Sequence, residues 1–553
     1  MYSQKKIFTV LSFFVFFNAL KIALFNIFTI YTDSLFFTFS YKMILSISVN
    51  FIIYYLIFKI KKRSIFTLVY LFQIVYILGM LVHFIYFRRH LHVFYSVDLT
   101  GEGLEALANF AIPRSPKLFI TFLDLPFFIY IFKRFKNFVN PEYHHKYLKK
   151  SIIFLSIFFI FIFEVINIHS EVSFYHMMNS TKINDNDIAL KYGTMAINII
   201  DLINLNRKGI DFTENIEYGE KIEKTKNYLL KNNIIIIQVE SLDSNLIGLT
   251  YENKEITPFM NKLAEKSIYF PYTLSYHKAG GTSDCEISVL NNFEPFDSFP
   301  TSQLENYYFL NSITHNFKKS GYSTKAFHGN KSTFYKRNEI YPLMGFDVFY
   351  GYEEMEIEPS IWGALDHEVI EYMKTELLKE TEPFFYYFIT MTTHAPFNFI
   401  EENYVEIEED PKDKFTYNYF NSFRYFDNHL EDLVNYITEN FPNTYIFIFG
   451  DHTAAINTQT YTSSAFIDGI NYFEFVPTFI ITPNSVKYHE KNRAISFLDV
   501  GISVLEAAQI NYSIKTLGEN LFAPEKMNKK IPLSGNVFDR IELFETAIEN
   551  IEN

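Results

Sequence analysis

Five long apolar segments before residue 170 constrain this chain more than any other feature. They are rich in Phe, Ile, Leu, Val and Tyr, and most approach the ~20 residues that cross the hydrocarbon core of a bilayer. The segments lie near residues 7–30, 42–58, 65–87, 117–132 and 151–168. The sequence therefore predicts a five-helix transmembrane bundle. Its first helix is interpreted as a retained anchor, because no small-x-small cleavage site follows it.

Lysine and arginine residues predict the orientation of this bundle, because short cytoplasmic loops retain cations. Basic residues precede the first segment, follow the second, and separate the fourth from the fifth; they are Lys5, Lys6, Lys59, Lys61, Lys62, Arg63, Lys133, Arg134, Lys136, Lys146, Lys149 and Lys150. With these residues inside the cell, everything after about residue 170 is predicted to lie outside. Three charges fall in or near the spans, and they either line a lipid groove or, as we expect, Lys21 pairs with Asp124 while Glu164 lies at the outer interface.

The texture of the sequence changes at residue 233, where "NIIIIQVESL" reads as a buried parallel strand. Further apolar runs at 383–391, 444–451 and 476–482 alternate with helical patterns, which is typical of a mostly parallel sheet covered by helices on both faces. The predicted domains are 1–170 (transmembrane), 171–232 (helical linker along the membrane surface or the next domain), 233–525 (extracellular α/β) and 526–553 (C-terminal tail).

Polar residues end two of the predicted strands. Glu240 follows the strand that begins at residue 233, and Asp451 and His452 follow the strand that begins at residue 444. In parallel α/β sheets, ligands bind beyond the carboxyl ends of the strands. Carboxylate and imidazole donors suit Mn²⁺, Zn²⁺ or Mg²⁺, so these three residues predict a metal site.

The string "YHKAGGTSDCEISVL" predicts a helix that begins near Thr282 and Ser283. Ser283 and Glu286 have the spacing of a capping box, and two glycines ahead of them allow a ligand to approach closely. A hydroxyl at a helix N-terminus lies in positive potential, so Thr282 is placed to attack a phosphate if a metal lowers its pKa. The alternative is an ordinary helix cap.

Three further polar residues are candidates for the same face. His328 and His394 each follow a predicted strand, and Arg337 is a candidate to hold an anion through two donors. His367 and His429 occur within helical patterns instead, and we interpret them as surface or core residues.

Taken in series, "IIIIQVESL", "GGTSDCE", "FHGN", "FYKRNEIYPLMGFD", "TMTTHAPF" and "FGDH" resemble the lipoteichoic acid synthase branch of the alkaline phosphatase and sulfatase superfamily. The resemblance covers residues 233 to about 522 and implies a sulfatase-like fold. It implies that Glu240, Thr282, Asp451 and His452 hold one divalent metal, typically manganese, with Thr282 also the nucleophile. It implies that His328, Tyr335, Arg337 and His394 contact the substrate, and that His394 protonates the leaving group.

The reaction implied by the resemblance moves glycerol phosphate from phosphatidylglycerol to an envelope acceptor through a phosphothreonine, at the bacterial cell membrane. Three positions depart from the family pattern: Gly281 replaces a lysine, Cys285 a small residue, and Tyr335 a tryptophan. The string after Cys285 lacks the proline and arginine of a type I sulfatase signature, so this thiol is predicted to be packed rather than reactive.

Two other functions remain open. A phosphoethanolamine transferase has the same fold, but such enzymes usually carry several disulfides and this chain has one cysteine. A catalytically silent lipid-binding relative is the other alternative. A net charge of −13 argues against nucleic acid as a partner.

Overall fold

The computed structural model of the chain describes residues 4–30, 35–87, 90–93, 115–139, 158, 185–204, 219–226, 228, 230–277, 280–296, 300–304, 307–360, 363–381, 383–408, 414–454, 474–490, 493–533 and 536–541. The chain divides into two compact units. The first, here the N-terminal unit, comprises Met1–Phe94 and Ala111–Asn204, and the second, the C-terminal unit, comprises Tyr95–Phe110 and Leu205–Asn553.

Three long helices dominate the N-terminal unit: α1 (Gln4–Phe28), α2 (Leu35–Ile60) and α3 (Arg63–Phe87). Their apolar residues are distributed around the whole circumference, which is typical of a helix surrounded by lipid and other spans. Within the described residues, these three helices are long and apolar enough to cross a membrane. They coincide with the first three predicted spans.

The fourth predicted span, residues 117–132, is not one continuous helix. Pro116–Phe122 form a 3-10 helix, and the chain turns at Asp124 before α4 (Leu125–Lys133) and α5 (Phe135–Phe138). Pro126 lacks the N–H that a helix running through this turn would require. Apart from residue 158, the fifth predicted span lies outside the described residues, so the count of five helices is not confirmed.

The predicted pairing of Lys21 with Asp124 is confirmed. Lys21 Nζ lies 2.9 and 2.8 Å from the two carboxylate oxygens of Asp124, and both side chains are fully buried. Tyr70 donates its hydroxyl to the same carboxylate at 2.8 Å, and Asn18 donates an amide N–H to it. The two charges therefore neutralise each other inside the unit. Glu164 lies outside the described residues.

Two short helices complete the N-terminal unit, α6 (Asp185–Tyr192) and α7 (Met195–Asn204). Their buried side chains pack with Ile30 in one apolar cluster that also contains Ile188, Ala189, Ala196, Ile197 and Ile200.

Among the described residues, the C-terminal unit is built on a nine-stranded mixed sheet with the order β11-β5-β10-β9-β2-β8-β6-β7, in which β12 also pairs with β5. Only β10 runs against its neighbours on both sides, so the predicted mostly parallel sheet is confirmed. The strands of this sheet and of three two-stranded sheets are β1 (Glu220–Lys224), β2 (Asn233–Val239), β3 (Thr250–Tyr251), β4 (Lys254–Glu255), β5 (Ile268–Ser275), β6 (Ser323–His328), β7 (Val348–Tyr350), β8 (Phe384–Ile389), β9 (Thr444–Gly450), β10 (Glu474–Ile481), β11 (Tyr488–His489), β12 (Ile495–Ser496), β13 (Tyr512–Thr516), β14 (Lys530–Leu533) and β15 (Asn536–Asp539).

Helices cover both faces of the large sheet. They are α8 (Pro258–Lys266), α9 (Thr282–Asn291), α10 (Ile313–Lys319), α11 (Arg337–Met344), α12 (Asp366–Leu377), α13 (Lys414–Asn440) and α14 (Phe497–Ala508). The isoleucine run of β2 explains why two cores form, since alternate side chains point to opposite faces. Ile234 and Ile236 pack under α9, α10, α11 and α14, whereas Ile235 and Ile237 pack under α8, α12 and α13.

The end of the described chain packs against this unit. Strand β13 pairs with β1, and β14 forms an antiparallel pair with β15. Arg540 follows this hairpin and is 1% exposed, with its guanidinium bound to both carboxylate oxygens of Asp499 on α14. Residues 530–541, which the sequence assigned to a tail, thus include a hairpin and a buried ion pair.

Candidate active site

Three of the predicted metal ligands meet at the carboxyl ends of two adjacent parallel strands. Glu240 follows β2, and Asp451 and His452 follow β9. One oxygen or nitrogen atom from each of them lies within 4.8 Å of the others, and all three residues are buried. His452 Nε2 is 3.2 Å from Glu240 Oε1. The structure therefore brings together the residues that the sequence predicted at the strand ends.

Gly450 makes the turn from β9 into Asp451 possible. A Cβ at this position would lie 2.2 Å from the carbonyl oxygen of Leu242, so no larger residue fits without moving the backbone. The Asp451 carboxylate is then held by two backbone N–H donors, from Ser241 at 2.9 Å and from His452 at 2.7 Å. These bonds fix the direction in which Asp451 presents its second oxygen.

Thr282 lies in the first turn of α9, where the sequence placed it. Its hydroxyl donates to Glu240 Oε2 at 2.7 Å, which joins it to the three predicted ligands. Gly281 just before it has φ 52° and ψ −125°, a backbone conformation that favours glycine. The chain can therefore enter α9 at an angle that brings the Thr282 hydroxyl onto Glu240.

The predicted capping box at the start of α9 is wrong. The N-cap residue is Gly281, and no side-chain capping hydrogen bond is present there. Ser283 Oγ donates back to the carbonyl of Gly280, and Glu286 turns inward to Arg337. A buried ion pair with a residue 51 positions along the chain outcompetes the local cap that the spacing suggested.

The charges in this cluster are unbalanced in a way that suits a cation. Burial and the neighbouring carboxylate of Glu240 raise the pKa of Asp451 to about 7. Although burial also acts on Glu240, the imidazoles of His452 and His394 and the Thr282 hydroxyl hold the pKa of Glu240 well below its usual range. A divalent cation between two neighbouring buried acids offsets their mutual repulsion and the cost of burying their charges. The donor set thus fits the metal that the resemblance implies.

Histidine 452 presents the nitrogen that a metal requires. Its Nδ1 lies 3.0 Å from the carbonyl oxygen of Thr453, which only accepts, so Nδ1 carries the proton. In a neutral ring the unprotonated Nε2 then faces Glu240, and this arrangement is the usual one for a metal-binding histidine.

Sequence reasoning missed a pair that supports this ring. His277 lies with its ring centroid 4.9 Å from that of His452, and its Nε2 is 2.9 Å from Glu474 Oε2. The same Glu474 oxygen accepts the backbone N–H of Thr453 at 2.8 Å. His277 lies in the same sequence string as Thr282, but its partner Glu474 is 197 residues away. No local sequence pattern predicts that these two residues are in contact.

The loop after β8 is tied to Glu240 on both sides. The Glu240 N–H donates to Thr390 Oγ1 at 2.9 Å, and Thr393 Oγ1 donates to the Glu240 carbonyl at 2.7 Å. Asp366 at the start of α12 accepts the N–H groups of Met391 and Thr392 at 2.7 and 3.0 Å. This loop also carries His394, so its position is set relative to Glu240.

The two remaining histidine candidates have defined tautomers. His394 Nδ1 lies 2.6 Å from the carbonyl of Ala395, and His328 Nδ1 lies 3.0 Å from that of Ile389. Burial, reinforced by the positive charge of Arg337, lowers the pKa of His328 to about 3, so this ring is neutral. His328 is the last residue of β6 and pairs with Ile389 at the end of β8, so it lies at the same end of the sheet as Glu240.

Arg337 is buried and already holds one carboxylate. Its Nε and Nη2 donate to Glu286 at 3.0 and 2.5 Å, and the Tyr341 hydroxyl donates to the same carboxylate at 2.6 Å. The two-donor edge predicted for an anion is therefore occupied. Nη1 is buried and has no hydrogen-bond partner among the described residues, which leaves one nitrogen for a ligand. The ring of Tyr335 lies 5.3 Å from the guanidinium carbon.

The sequence analysis left His367, His429 and Cys285 out of the predicted site, and the structure gives each of them packing contacts. The rings of His367 on α12 and His429 on α13 stack with their centroids 5.3 Å apart, and Tyr425 contacts both rings edge-on. Cys285 is fully buried in the core, and burial raises the pKa of its thiol well above the usual value. The predicted packing role of Cys285 is consistent with both observations, since the thiolate is the reactive form.

Comparison with known proteins identifies a family and several relatives that resemble this chain. The sulfatase family matches residues 232–510. A lipoteichoic acid synthase-like protein of Bacillus subtilis is 30% identical over 238 residues, covering 42% of this chain and 39% of that protein. Lipoteichoic acid synthase of Staphylococcus aureus is 31% identical over 233 residues, covering 40% and 36%. The chain thus matches about two fifths of the length of these relatives.

A solved structure shares the fold over more of the chain. The integral membrane lipooligosaccharide phosphoethanolamine transferase A of Neisseria meningitidis aligns with a TM-score of 0.53 and 14% identity, covering 91% of this chain and 95% of that one. At this identity the likeness shows a common fold.

Proposed function

Because this chain belongs to the sulfatase family, as a lipoteichoic acid synthase-like member of the alkaline phosphatase and sulfatase superfamily, we propose that it is a membrane-anchored, metal-dependent phosphotransferase. It moves glycerol phosphate from phosphatidylglycerol to an acceptor in the cell envelope, through a phosphothreonine on Thr282. The observation that carries the proposal is the hydrogen bond of 2.7 Å from the Thr282 hydroxyl to Glu240, inside the cluster of buried ligands.

The first step is attack by Thr282 on the phosphorus of the donor. Glu240, Thr282, Asp451 and His452 would hold the metal, which when bound lowers the pKa of a hydroxyl and offsets charge on phosphoryl oxygens. Thr282 enters the step as its alkoxide, the hydroxyl proton having passed to solvent, and as the bond from its Oγ to phosphorus forms, the bond from phosphorus to the diacylglycerol oxygen breaks. His394 donates a proton to that oxygen, and diacylglycerol leaves.

The second step returns Thr282 to its starting state. An acceptor hydroxyl attacks the phosphorus, the bond from Thr282 Oγ breaks, and the acceptor proton is taken up by His394. Arg337 Nη1 and the neutral His328 face the phosphoryl group and the glycerol, where the arginine stabilises developing negative charge. Tyr335 supplies an aromatic surface beside the same guanidinium.

The location follows from the same proposal. The three long apolar helices anchor the chain in a bacterial cell membrane. The C-terminal unit, called the catalytic unit from here on, lies on the outer side, where donor lipid and acceptor meet. The relatives named lipoteichoic acid synthase support a lipid donor and an envelope acceptor, but the acceptor of this chain is left open by its residues.

Mass spectrometry of the full chain tests donor, metal and nucleophile together. The purified protein in detergent is incubated with phosphatidylglycerol or phosphatidylethanolamine, with Mn²⁺, Mg²⁺, Zn²⁺ or a chelator, and the peptide that contains Thr282 is weighed. We expect a glycerol phosphate adduct on Thr282 with phosphatidylglycerol and a divalent metal, and none in Thr282→Ala. An ethanolamine phosphate adduct would replace the proposed donor, whereas an adduct on Cys285 or no adduct with either lipid would overturn the mechanism.

A further inference from the structure

Helix α7 exposes an apolar stripe on one side. Met195, Ile199, Leu202 and Ile203 are 47%, 46%, 50% and 41% exposed. Their spacing places them on one face of the helix. The one charged residue of α7, Asp201, is buried on the other face.

The buried face of α7 carries the polar groups. Asn198 donates to the Tyr76 hydroxyl at 3.1 Å and accepts the N–H of Val93 at 2.9 Å. Asp201 lies 3.0 Å from His92 Nδ1. A helix that faces water has its polar residues outside and its apolar residues inside. Helix α7 instead buries its polar groups beside Ala196, Ile197 and Ile200 and exposes only apolar side chains on the stripe, which is the arrangement of a helix that faces hydrocarbon.

Contacts with the long helices set the level of α7. The N–H of Thr194, just before α7, donates to Asn26 Oδ1 near the end of α1 at 2.9 Å. Asn198 bonds to Tyr76, which lies within the apolar span Arg63–Ile85 of α3. Asp201 and Asn198 also bond to His92 and Val93, which follow the end of α3 at Phe87. The contacts of α7 thus extend from the ends of α1 and α3 to Tyr76, so part of its exposed stripe is level with the spans.

We infer that α7 is an interfacial helix whose stripe inserts into the phospholipid surface beside the spans. The occupant of this face is the bilayer itself. It is continuous with the lipid that surrounds α1 and α3, and four exposed apolar side chains without a charge among them match acyl chains. This inference does not depend on the transferase reaction, since it concerns only the N-terminal unit.

Fluorescence quenching by brominated lipid tests this position. The full chain has one tryptophan, Trp362. It is first replaced by Trp362→Phe, so that a tryptophan introduced elsewhere is the one that is observed. Leu202→Trp then reports on the stripe, and Leu378→Trp is the matched control, because Leu378 is an exposed leucine of the catalytic unit. Each variant is reconstituted into vesicles of phosphatidylcholine and phosphatidylglycerol, with or without bromine near the headgroup end of the acyl chains.

We expect Leu202→Trp to lose roughly half of its fluorescence in brominated vesicles, because an interfacial helix buries its apolar face ~5–10 Å deep. Leu378→Trp should be unchanged. If Leu202→Trp fails to fold, Ile199→Trp samples the same stripe. Quenching of the stripe only by aqueous acrylamide would overturn the inference, and so would shielding from both quenchers, which would indicate a second copy or another protein on this face.

Discussion

Asp499 and Asp451 are both fully buried in the catalytic unit, but what faces each carboxylate differs. Asp499 is bound through both oxygens by the guanidinium of Arg540, and it also accepts the N–H groups of Ser496 and Glu519. Asp451 accepts two N–H groups as well, but it has a second acid, Glu240, beside it, and the basic group near it is the imidazole of His452 at 3.7 Å rather than a fixed cation.

This difference separates a structural charge from one kept for a ligand. The protein supplies the countercharge of Asp499 from its own chain, as it does for Asp124 with Lys21. At Asp451 it leaves the countercharge to be supplied from outside. A buried acid without a cation is costly to the fold, so its presence beside a second acid indicates function.

The largest expected effect comes from removing the internal countercharge. Arg540→Met leaves Asp499 buried and unpaired, which should lower the free energy of unfolding of the catalytic unit by about 3–5 kcal/mol. Urea unfolding of the full chain in detergent measures this loss. Arg540→Lys keeps the charge but not the two-donor fork, so its stability should lie between those of the native chain and Arg540→Met. Unchanged stability in Arg540→Met would mean that the C-terminal pair is dispensable.

The opposite result is expected for the acid without an internal partner. Asp451→Asn keeps the oxygen that accepts the two N–H groups but removes one of two facing charges, so the metal-free chain should not lose stability. With Mn²⁺ at a hundred times its Kd, the native chain should gain about 2.7 kcal/mol, and Asp451→Asn should gain none. Thermal unfolding with and without Mn²⁺ checks this, and Arg540→Met serves as the control that keeps the gain. An equal gain in Asp451→Asn would remove this residue from the metal site.

A smaller effect is expected from the loop that holds Glu240. Thr393→Val deletes the hydroxyl that donates to the Glu240 carbonyl, and loss of such a supporting contact should weaken Mn²⁺ affinity about 10-fold. Thr393→Ser keeps the hydroxyl and should bind normally, and Thr375→Val, an exposed threonine on α12, should have no effect. Isothermal titration calorimetry measures all four proteins. Equal affinity in the valine and serine variants would show that the hydroxyl does not position Glu240.

The smallest effect concerns Asp427, a third buried acid. Unlike Asp499 it has no bound guanidinium among the described residues, and unlike Asp451 it does not lie beside Glu240. It accepts the N–H groups of Phe259 and Met260 at the start of α8, and burial raises its pKa to about 7 despite them. Because the folded pKa lies above the unfolded value of 3.8, the folded chain holds this proton more tightly. Its contribution to stability is therefore full below the unfolded pKa and is lost as the pH rises to about 7.

Asp427→Asn should remove this decrease of stability with rising pH. Chemical unfolding across the range from about pH 4 to pH 7 measures the slope of stability against pH, which should be less negative or more positive in the variant than in the native chain. Metal-free protein is used, so that Asp451 contributes equally to both. An identical slope would mean that Asp427 stays ionised in the folded chain.

The strand ends were predictable because each of the signals is local. The isoleucine run of β2 can only be a strand buried on both faces, so Glu240 had to emerge at an edge of the sheet. The same reasoning placed Asp451 and His452. Thr282 was found because two glycines and a helical pattern surround it.

The pairing of Lys21 with Asp124 was predictable because two opposite charges in apolar spans need each other, but other contacts between distant residues were not. The spacing of Ser283 and Glu286 suggested a cap, but Glu286 binds Arg337, and nothing near either residue indicates that their elements touch. His277 and Glu474 were missed for the same reason. In the fourth predicted span, hydropathy alone favoured one long helix, whereas Asp124 is drawn to Lys21 and the chain turns there.

Helix α9 has a consequence for how the site assembles. Thr282 and Glu286 stand four residues apart on it, about 6 Å along the axis and on the same side. One holds onto Glu240 and the other holds Arg337. A displacement of the helix that withdraws the Thr282 hydroxyl from Glu240 would also loosen Arg337. The proposed nucleophile and the proposed phosphate contact are therefore positioned together by one rigid element.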